Sequence, residues 1–379
     1  MKKNIALIVA TPLSFNVFYK NHINFLKEFY DVTLIANFNL DPCTIEGVKK
    51  IHIDIERKPN LVKDIKVLFQ LIKIFKQQKF SLVHSTTPKA GLLTQIAARF
   101  VGVRVRLHTF TGQVWATKKG MKREILKCID RIIGYLPTHL LTDSQSQKDV
   151  LENEKIVPRN KVEVLGLGSI CGVDLTKFKP IDSVVKAQTR MEIGISKHDF
   201  LFLYLGRLNK EKGILDLIDA FQLVHEKFSK AKLLFVGKDE EGLIDCICKH
   251  PQFGSFILYK GFTNSPQNYM AMADVFCLPS YREGFGSVII EAAACGTPSI
   301  GTNIYGLTDA IENGKSGLLC EVNNSQDLSE KMISFIENDT LRKECAEYGL
   351  QRVKDNFNTV LISQYLFEFY EKILKAEKC

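Results

Sequence analysis

Short apolar runs alternate with longer amphipathic stretches along most of the chain. KNIALIVA, DVTLIANF, VKKIHIDI, SLVHS, VRVRLHTF and HLLTDS are too short for helices and read as strands. Between them NHINFLKEF, residues 61–79 and residues 88–101 carry apolar positions at helical spacing. Strands alternating with helices predict parallel sheets joined by crossover helices. The rhythm breaks at EVLGLGSICGVDLTKFKPID, where Gly166, Gly168, Gly172 and Pro180 mark a boundary. It then restarts: FLFLYLG, AKLLFVG, SFILYKG, VFCLPS and TPSIGT read as strands, and KGILDLIDAFQLVHEKF, QNYMAMA and SVIIEAAACG as helices. The amphipathic stretches DLSEKMISFIEND and LRKECAEYGLQRVKDNF follow. The expected fold class is α/β, with two Rossmann-like domains over 1–175 and 180–358 and a final helix over 359–379.

Composition narrows the class. At 379 residues the chain is long for one core and comfortable for two. With 45% apolar and 25% charged residues it has ordinary globular composition. No apolar run approaches the ~18–20 residues that span a bilayer. The start, MKKNIALIVATPLSFNVF, has no small-residue cleavage site and reads as a first buried strand, not a leader. The ten cysteines are scattered; only Cys246 and Cys248 are close, and no metal-binding spacing occurs. Reduced thiols in a cytoplasmic protein are expected. The net charge of +9 is uneven: residues 1–180 hold 29 Lys and Arg against 15 Asp and Glu, the remainder 22 against 27. A basic half suggests an anionic partner, either nucleic acid or an anionic membrane surface.

Candidate chemistry gathers at predicted strand ends in the second half, where open parallel sheets bind ligands. After FLFLYLG comes GRLNKEKG, with Arg207, Lys210 and Lys212 near a helix start, a combination suited to an anion. After VFCLPS comes REGFGSVIIEAAACGTP. Gly284 and Gly286 let backbone approach a ligand. A helix beginning near Ser287 would point free N–H groups at it. Glu283 stands at the strand end and Glu291 about one turn into the helix, and such carboxylates can each accept two hydroxyl hydrogen bonds, as vicinal diols require.

GRLNKEKG and DVFCLPSYREGFGSVIIEAAACGTPSI resemble the retaining nucleotide-sugar glycosyltransferases of the two-Rossmann-domain (GT-B) type, family 4, over nearly the whole chain. The resemblance implies that Glu283 touches the donor sugar, Glu291 holds the ribose, and Arg207 and Lys212 clamp the diphosphate. It places Gly284, Phe285, Gly286 and Ser287 around the donor, and the base near Gly237, Gly261 and Phe262. It also implies that the last helix crosses back onto the first domain. The chain departs from the pattern in the first loop, ATPLSFNVF, which lacks the usual glycines; Ser14 or backbone N–H groups substitute there, or the loop serves the acceptor. A second departure is GKDEEG in place of a glycine-rich turn. Where many members carry His-Gly, this chain has Thr111–Gly112. His108 is then either a group at the reaction centre or a strand residue in the core, while His84 reads as core.

The activity implied is transfer of a sugar from a nucleoside diphosphate sugar to a polyprenyl-linked or oligosaccharide acceptor, in the assembly of a polysaccharide or lipopolysaccharide. UDP is the expected nucleotide, and an N-acetylated hexosamine is one candidate sugar. No cofactor is expected, and no Asp-x-Asp metal motif occurs. The basic stretches 61–80 and 113–136 differ in reading: the first packs on its own sheet, whereas the second, with Trp115, Lys118, Lys119 and Lys122, lies on an anionic inner-membrane surface. Nucleic acid is disfavoured, because no aromatics interleave in an RNA-binding pattern. The rivals are a sugar-nucleotide epimerase and a non-catalytic sugar-binding subunit. A nicotinamide dehydrogenase is poorly supported without G-x-G-x-x-G after the first strand.

Overall fold

The computed structural model describes residues 2–56, 60–249 and 253–376, except the side chain of Cys246. The described residues form two fully parallel sheets. The first contains β1 (Lys3–Ile8), β2 (Tyr30–Ala36), β3 (Lys49–His52), β4 (Leu82–Thr86), β5 (Val105–Phe110), β6 (His139–Thr142) and β7 (Val162–Val164). The second contains β8 (Phe200–Leu205), β9 (Ala231–Val236), β10 (Ile257–Tyr259), β11 (Val275–Leu278), β12 (Ser299–Thr302) and β13 (Gly317–Cys320). Their orders are β3-β2-β1-β4-β5-β6-β7 and β10-β9-β8-β11-β12-β13. Strand order therefore reverses once in each, between β1 and β4 and between β8 and β11, and crevices for ligands open at such points.

Two compact units result: Met1–Gly172 with Thr359–Cys379, and Val173–Asn358. The glycine-rich segment ends the first unit, and residues from Val173 onward pack into the second, where Val173 and Phe178 join the core. The final helix, Thr359–Ala376, buries Leu366, Phe369, Tyr370, Ile373 and Leu374 in the core of the first unit; residues 377–379 of the expected helix lie outside the described residues. Polar contacts fix its register: His22 Nδ1 meets Ser363 Oγ at 2.8 Å, His84 Nδ1 meets Tyr370 Oη at 2.6 Å, and Tyr30 donates to Glu371 at 2.7 Å. The loop ATPLSFNVF is helical from Pro12 onward. Proline at the first helical position forgoes only an N–H that would lack an intrahelical partner.

The second unit opens with the helix Ser183–Glu192, capped by Asp182 Oδ1 on the N–H groups of Val184 and Val185, both at 2.9 Å. This helix is pinned to the sheet by Asp274, just before β11. Arg190 Nη2 donates to Asp274 at 2.7 Å, Lys186 Nζ at 3.1 Å and the Leu201 N–H at 2.8 Å. Burial alone would raise the Asp274 pKa, but Lys186, Arg190 and that N–H outweigh it and hold it below the ordinary value. The pair therefore stabilises the fold above the ordinary carboxylate range and is lost as pH falls through the lowered pKa. Arg190 is only 5% exposed, so Asp274→Ala leaves a buried charge without its partner. We expect a loss of about 3 kcal/mol in urea denaturation at pH 7, shrinking in acid.

Candidate active site

The turn after β8 and the loop after β11 flank the reversal point of the second sheet. They are drawn together by an approach of backbone to backbone: Gly213 has φ +67°, and a Cβ there would stand 2.0 Å from the Pro279 carbonyl oxygen. Only glycine fits. The Tyr281 N–H donates to the Glu211 carbonyl at 2.8 Å, and Arg282 pairs with the Glu211 carboxylate at 2.8 Å. In this frame Lys212 Nζ makes an ion pair with Glu283, which also accepts from Ser280 Oγ at 2.8 Å. The side chains are 18% and 14% exposed, so the pair is largely shielded but reachable. Two residues picked out by spacing are thus in contact, and Ser280, absent from the sequence reading, orients one of them.

Arg207 is placed differently. It is 60% exposed and pairs with Glu240 at 3.1 Å. Asn209 Nδ2 donates to the same carboxylate at 3.1 Å, and Glu241 accepts from the Lys210 N–H at 2.9 Å. The GKDEEG turn therefore lies along the basic turn as its acidic partner. Gly237 and Gly261 are joined by a 2.7 Å hydrogen bond from the Gly237 N–H, and Phe262 beside them exposes 72% of its surface.

The helix Ser287–Ala294 starts where the sequence placed it. Gly286 caps it at φ +82°, and a Cβ there would lie 2.4 Å from Leu307 Cδ2. That glycine is required by packing on the 304–307 turn. Gly306 in the same turn comes so near that a Cβ on it would stand 2.7 Å from the Gly284 carbonyl. The Tyr305–Gly306 dipeptide is the local sequence signal for this turn, and Tyr305 is expected from the sequence to help shape the pocket. Phe285 corrects an expectation: its ring is 2% exposed and packs 5.4 Å from Phe357, so its side chain belongs to the core and only its backbone can meet a ligand. Glu291 is half-buried; burial raises its pKa to about 7, partly offset by Lys177.

In the first unit, Ser14, Thr111 and Gly112 are partly exposed beyond the carboxyl ends of β1 and β5. His108 is not at a surface. It is 1% exposed, its Nδ1 is 2.9 Å from Ser85 Oγ, and its ring fills the space a Cβ on Gly91 would need. Burial lowers its pKa to about 3, so the ring is neutral. This corrects the catalytic expectation in favour of the core role. His84 is buried likewise, between Tyr370 and Thr109. Trp115 is also corrected: it is 2% exposed and donates to Asp130 at 2.8 Å, with Arg123 and Lys127 over its ring.

A paired lysine and glutamate therefore stand at the reversal point of a parallel sheet, followed by a second glutamate on a helix. The model for glycosyl transferases group 1 matches residues 185–352, and that for glycosyl transferase 4-like domains residues 4–132. The capsular polysaccharide biosynthesis glycosyltransferase CapM of Staphylococcus aureus is 32% identical, over 95% of this chain and 94% of that protein. An Escherichia coli UDP-Gal:alpha-D-GlcNAc-diphosphoundecaprenol alpha-1,3-galactosyltransferase is 28% identical, over 80% of this chain and 78% of its own length. The crystal structure of Anabaena Alr3699/HepE in complex with UDP superposes with a TM-score of 0.80 at 17% identity, covering 98% of this chain and all of that one. The chain belongs to the group 1 glycosyltransferase family and has the GT-B fold.

Glu291 supplies a direct check on this geometry. An acid whose folded pKa is raised contributes stability below its ordinary value and loses it as pH rises through about 7. A carboxyl NMR titration should show a midpoint near 7 for this residue. Glu291→Gln should flatten the decline in stability across that window.

Proposed function

We propose that the chain moves a sugar from a UDP-sugar to a polyprenyl-diphosphate-linked or oligosaccharide acceptor, with retention of configuration, in surface polysaccharide assembly. An N-acetylated hexosamine is one candidate for the sugar. The observation that carries this reading is the contact between Lys212 and Glu283 at the reversal point of the second sheet. In this reading Glu283 accepts hydrogen bonds from the donor sugar and Glu291 from the ribose. Phe262 and the Gly237–Gly261 contact receive the base. Lys212, Arg207 and the N–H groups at Ser287 stabilise the leaving diphosphate, which takes the acceptor's proton. Such catalysis is positional and electrostatic, and it calls on no metal or cofactor. The Escherichia coli relative, a galactosyltransferase acting on UDP-Gal and a diphosphoundecaprenol-linked sugar, and the UDP complex of the structural neighbour support UDP and a lipid diphosphate as partners. Calorimetry with UDP, GDP and ADP should show UDP binding tightest. Glu283→Ala should reduce transfer at least a hundredfold while leaving UDP affinity within about threefold, and Arg207→Ala should weaken UDP itself about tenfold, the scale of one charge-assisted hydrogen bond. Transfer surviving in Glu283→Ala would refute the role given to that carboxylate.

A lipid-linked acceptor brings the enzyme to the inner, anionic face of the cell membrane. The helix Gly120–Tyr135 supports this, because Met121, Ile125, Cys128, Ile132 and Tyr135 are exposed at intervals of four and three along one side. Lys119 and Lys122 stand exposed at its start. Such a stripe flanked by lysines suits an interfacial helix. Lys127 and Arg123 do not contribute, being paired with Glu154 at 2.7 and 2.8 Å. Replacing Lys119 and Lys122 by glutamate should reduce co-sedimentation with phosphatidylglycerol vesicles at least fivefold, and unchanged sedimentation would remove this helix from the interface.

A further inference from the structure

The helix Gly120–Tyr135 follows β5 and precedes β6, so it runs back to the amino edge of the first sheet, opposite the edge that carries Thr111 and Gly112. There Gly134 brings it down onto the chain that follows the helix Gln145–Asn153. A Cβ on Gly134 would lie 2.8 Å from both the Ile156 carbonyl oxygen and Val157 Cγ1. Ile133, Ile156 and Val157 join one apolar cluster at this contact. Beside it opens a groove of about 700 Å³. Its apolar lining is Tyr135, Ile156, Val157 and Pro158, and its cations are Arg131, Lys155 and Arg159. Arg131 Nε donates to the Lys155 carbonyl at 3.3 Å. Arg99 adds a fourth cation, its guanidinium 5.9 Å from the centroid of the Tyr135 ring.

These cations are not neutralised within the protein. The neighbouring carboxylate, Glu154, is taken by Lys127 and Arg123 at 2.7 and 2.8 Å. Glu152, the acid of the groove, accepts the Asn160 N–H at 3.0 Å. Among the described residues Arg99, Arg131, Lys155 and Arg159 form no ion pair. The last carbonyls of the helix, which would draw a cation, are met by others. Lys161 Nζ donates to Gly134 at 2.7 Å and to Tyr135 at 3.2 Å, and Arg106 Nε to Leu136 at 3.2 Å. Burial lowers the Lys161 pKa, and Arg106 and Arg99 lower it further, as crowded like charges do. An anion is what this cluster lacks, and the lining narrows its kind. Guanidinium groups match a phosphate, which can accept from two arginines at once. The apolar floor and the exposed Tyr135 suit a glycerol and the first carbons of a chain, not a hydrated ion. Tyr135 also ends the exposed stripe that begins at Met121, so the groove continues the face proposed to meet the membrane. Basic pockets beside such a face take lipid headgroups.

We propose that Arg131, Lys155 and Arg159 form a binding site for the phosphodiester of an anionic phospholipid, with its glycerol on the apolar floor of the groove. The helix of 16 residues, about 24 Å long, then has cations at both ends and lies along the surface. The site rests on the membrane reading of this helix, and the test separates the two. The full-length chain is titrated calorimetrically with dihexanoyl phosphatidylglycerol below its micelle concentration, with dihexanoyl phosphatidylcholine and with inorganic phosphate. The wild type should bind phosphatidylglycerol saturably and at least tenfold more tightly than the other two. Arg131→Gln with Arg159→Gln should weaken that binding at least tenfold and leave UDP affinity within twofold. Replacing Lys119 and Lys122 by glutamate, at the far end of the helix, should leave it within threefold. If thermal melting shows the double variant to be unfolded, Arg159→Gln alone, at an exposed side chain, decides by a threefold loss. No saturable binding, equal affinity for phosphatidylcholine, or undiminished binding in folded groove variants overturns the site. Phosphate bound as tightly as the lipid overturns it too, in favour of a free-anion site. Vesicle sedimentation untouched by the Lys119 and Lys122 changes, with short-chain lipid binding lost in the groove variants, keeps the site and sinks the membrane reading of the helix.

Discussion

The second unit is organised by one close approach, that of Gly213 to the Pro279 carbonyl. Strands β8 and β11 are neighbours whose onward connections lead toward opposite ends of the sheet, so the loops leaving them would ordinarily separate. The missing side chain at Gly213 lets them touch, and Lys212 and Glu283, one and four residues away, then meet across the gap. Neither charge is free to move far: Ser280 orients the carboxylate, and the Arg282–Glu211 pair ties the same two loops a second time. A conventional side chain at 213 would disturb the fold and the charge pair together.

The two cations proposed to meet the diphosphate differ in how they are held. Lys212 is sheltered and fixed, whereas Arg207 is exposed and rests on Glu240. An exposed pair of this kind is worth about 0–1 kcal/mol. A doubly charged ligand can displace Glu240 from the guanidinium at small cost. Displacing Glu283 from Lys212 is harder, because both side chains are largely shielded from solvent. One cation is preorganised and the other recruited, and the acidic GKDEEG turn, unlike a glycine-rich one, keeps the second from wandering.

The order of strands and helices and the two glutamates were legible because period and spacing encode them directly. Strands β7 and β13 were not: each is three or four residues long, beside glycines that read as turns. Side-chain direction was the recurrent loss. Phe285 follows a ligand-facing loop in sequence but turns its ring inward to Phe357, on a segment more than seventy residues away. Trp115 sits in a basic amphipathic stretch that looks the same whether its indole meets lipid or Asp130. His108 could not be assigned because its neighbour Gly91 lies on the helix Pro88–Val101 and not on its own strand, and only the fold shows that the ring fills the void over it.

Trp115 is the single tryptophan of the chain, and it sits in the first unit with its indole N–H bonded to a carboxylate. Its emission is therefore an optical probe of one half of the molecule. A fluorescence melt followed at the indole wavelength reports the opening of the segment around Trp115 and Asp130 and is blind to the sheet that carries Lys212 and Glu283. Agreement between that trace and circular dichroism, which sees both halves, would mean that the two units melt as one. A gap between the traces would resolve the stability of the second unit without any label.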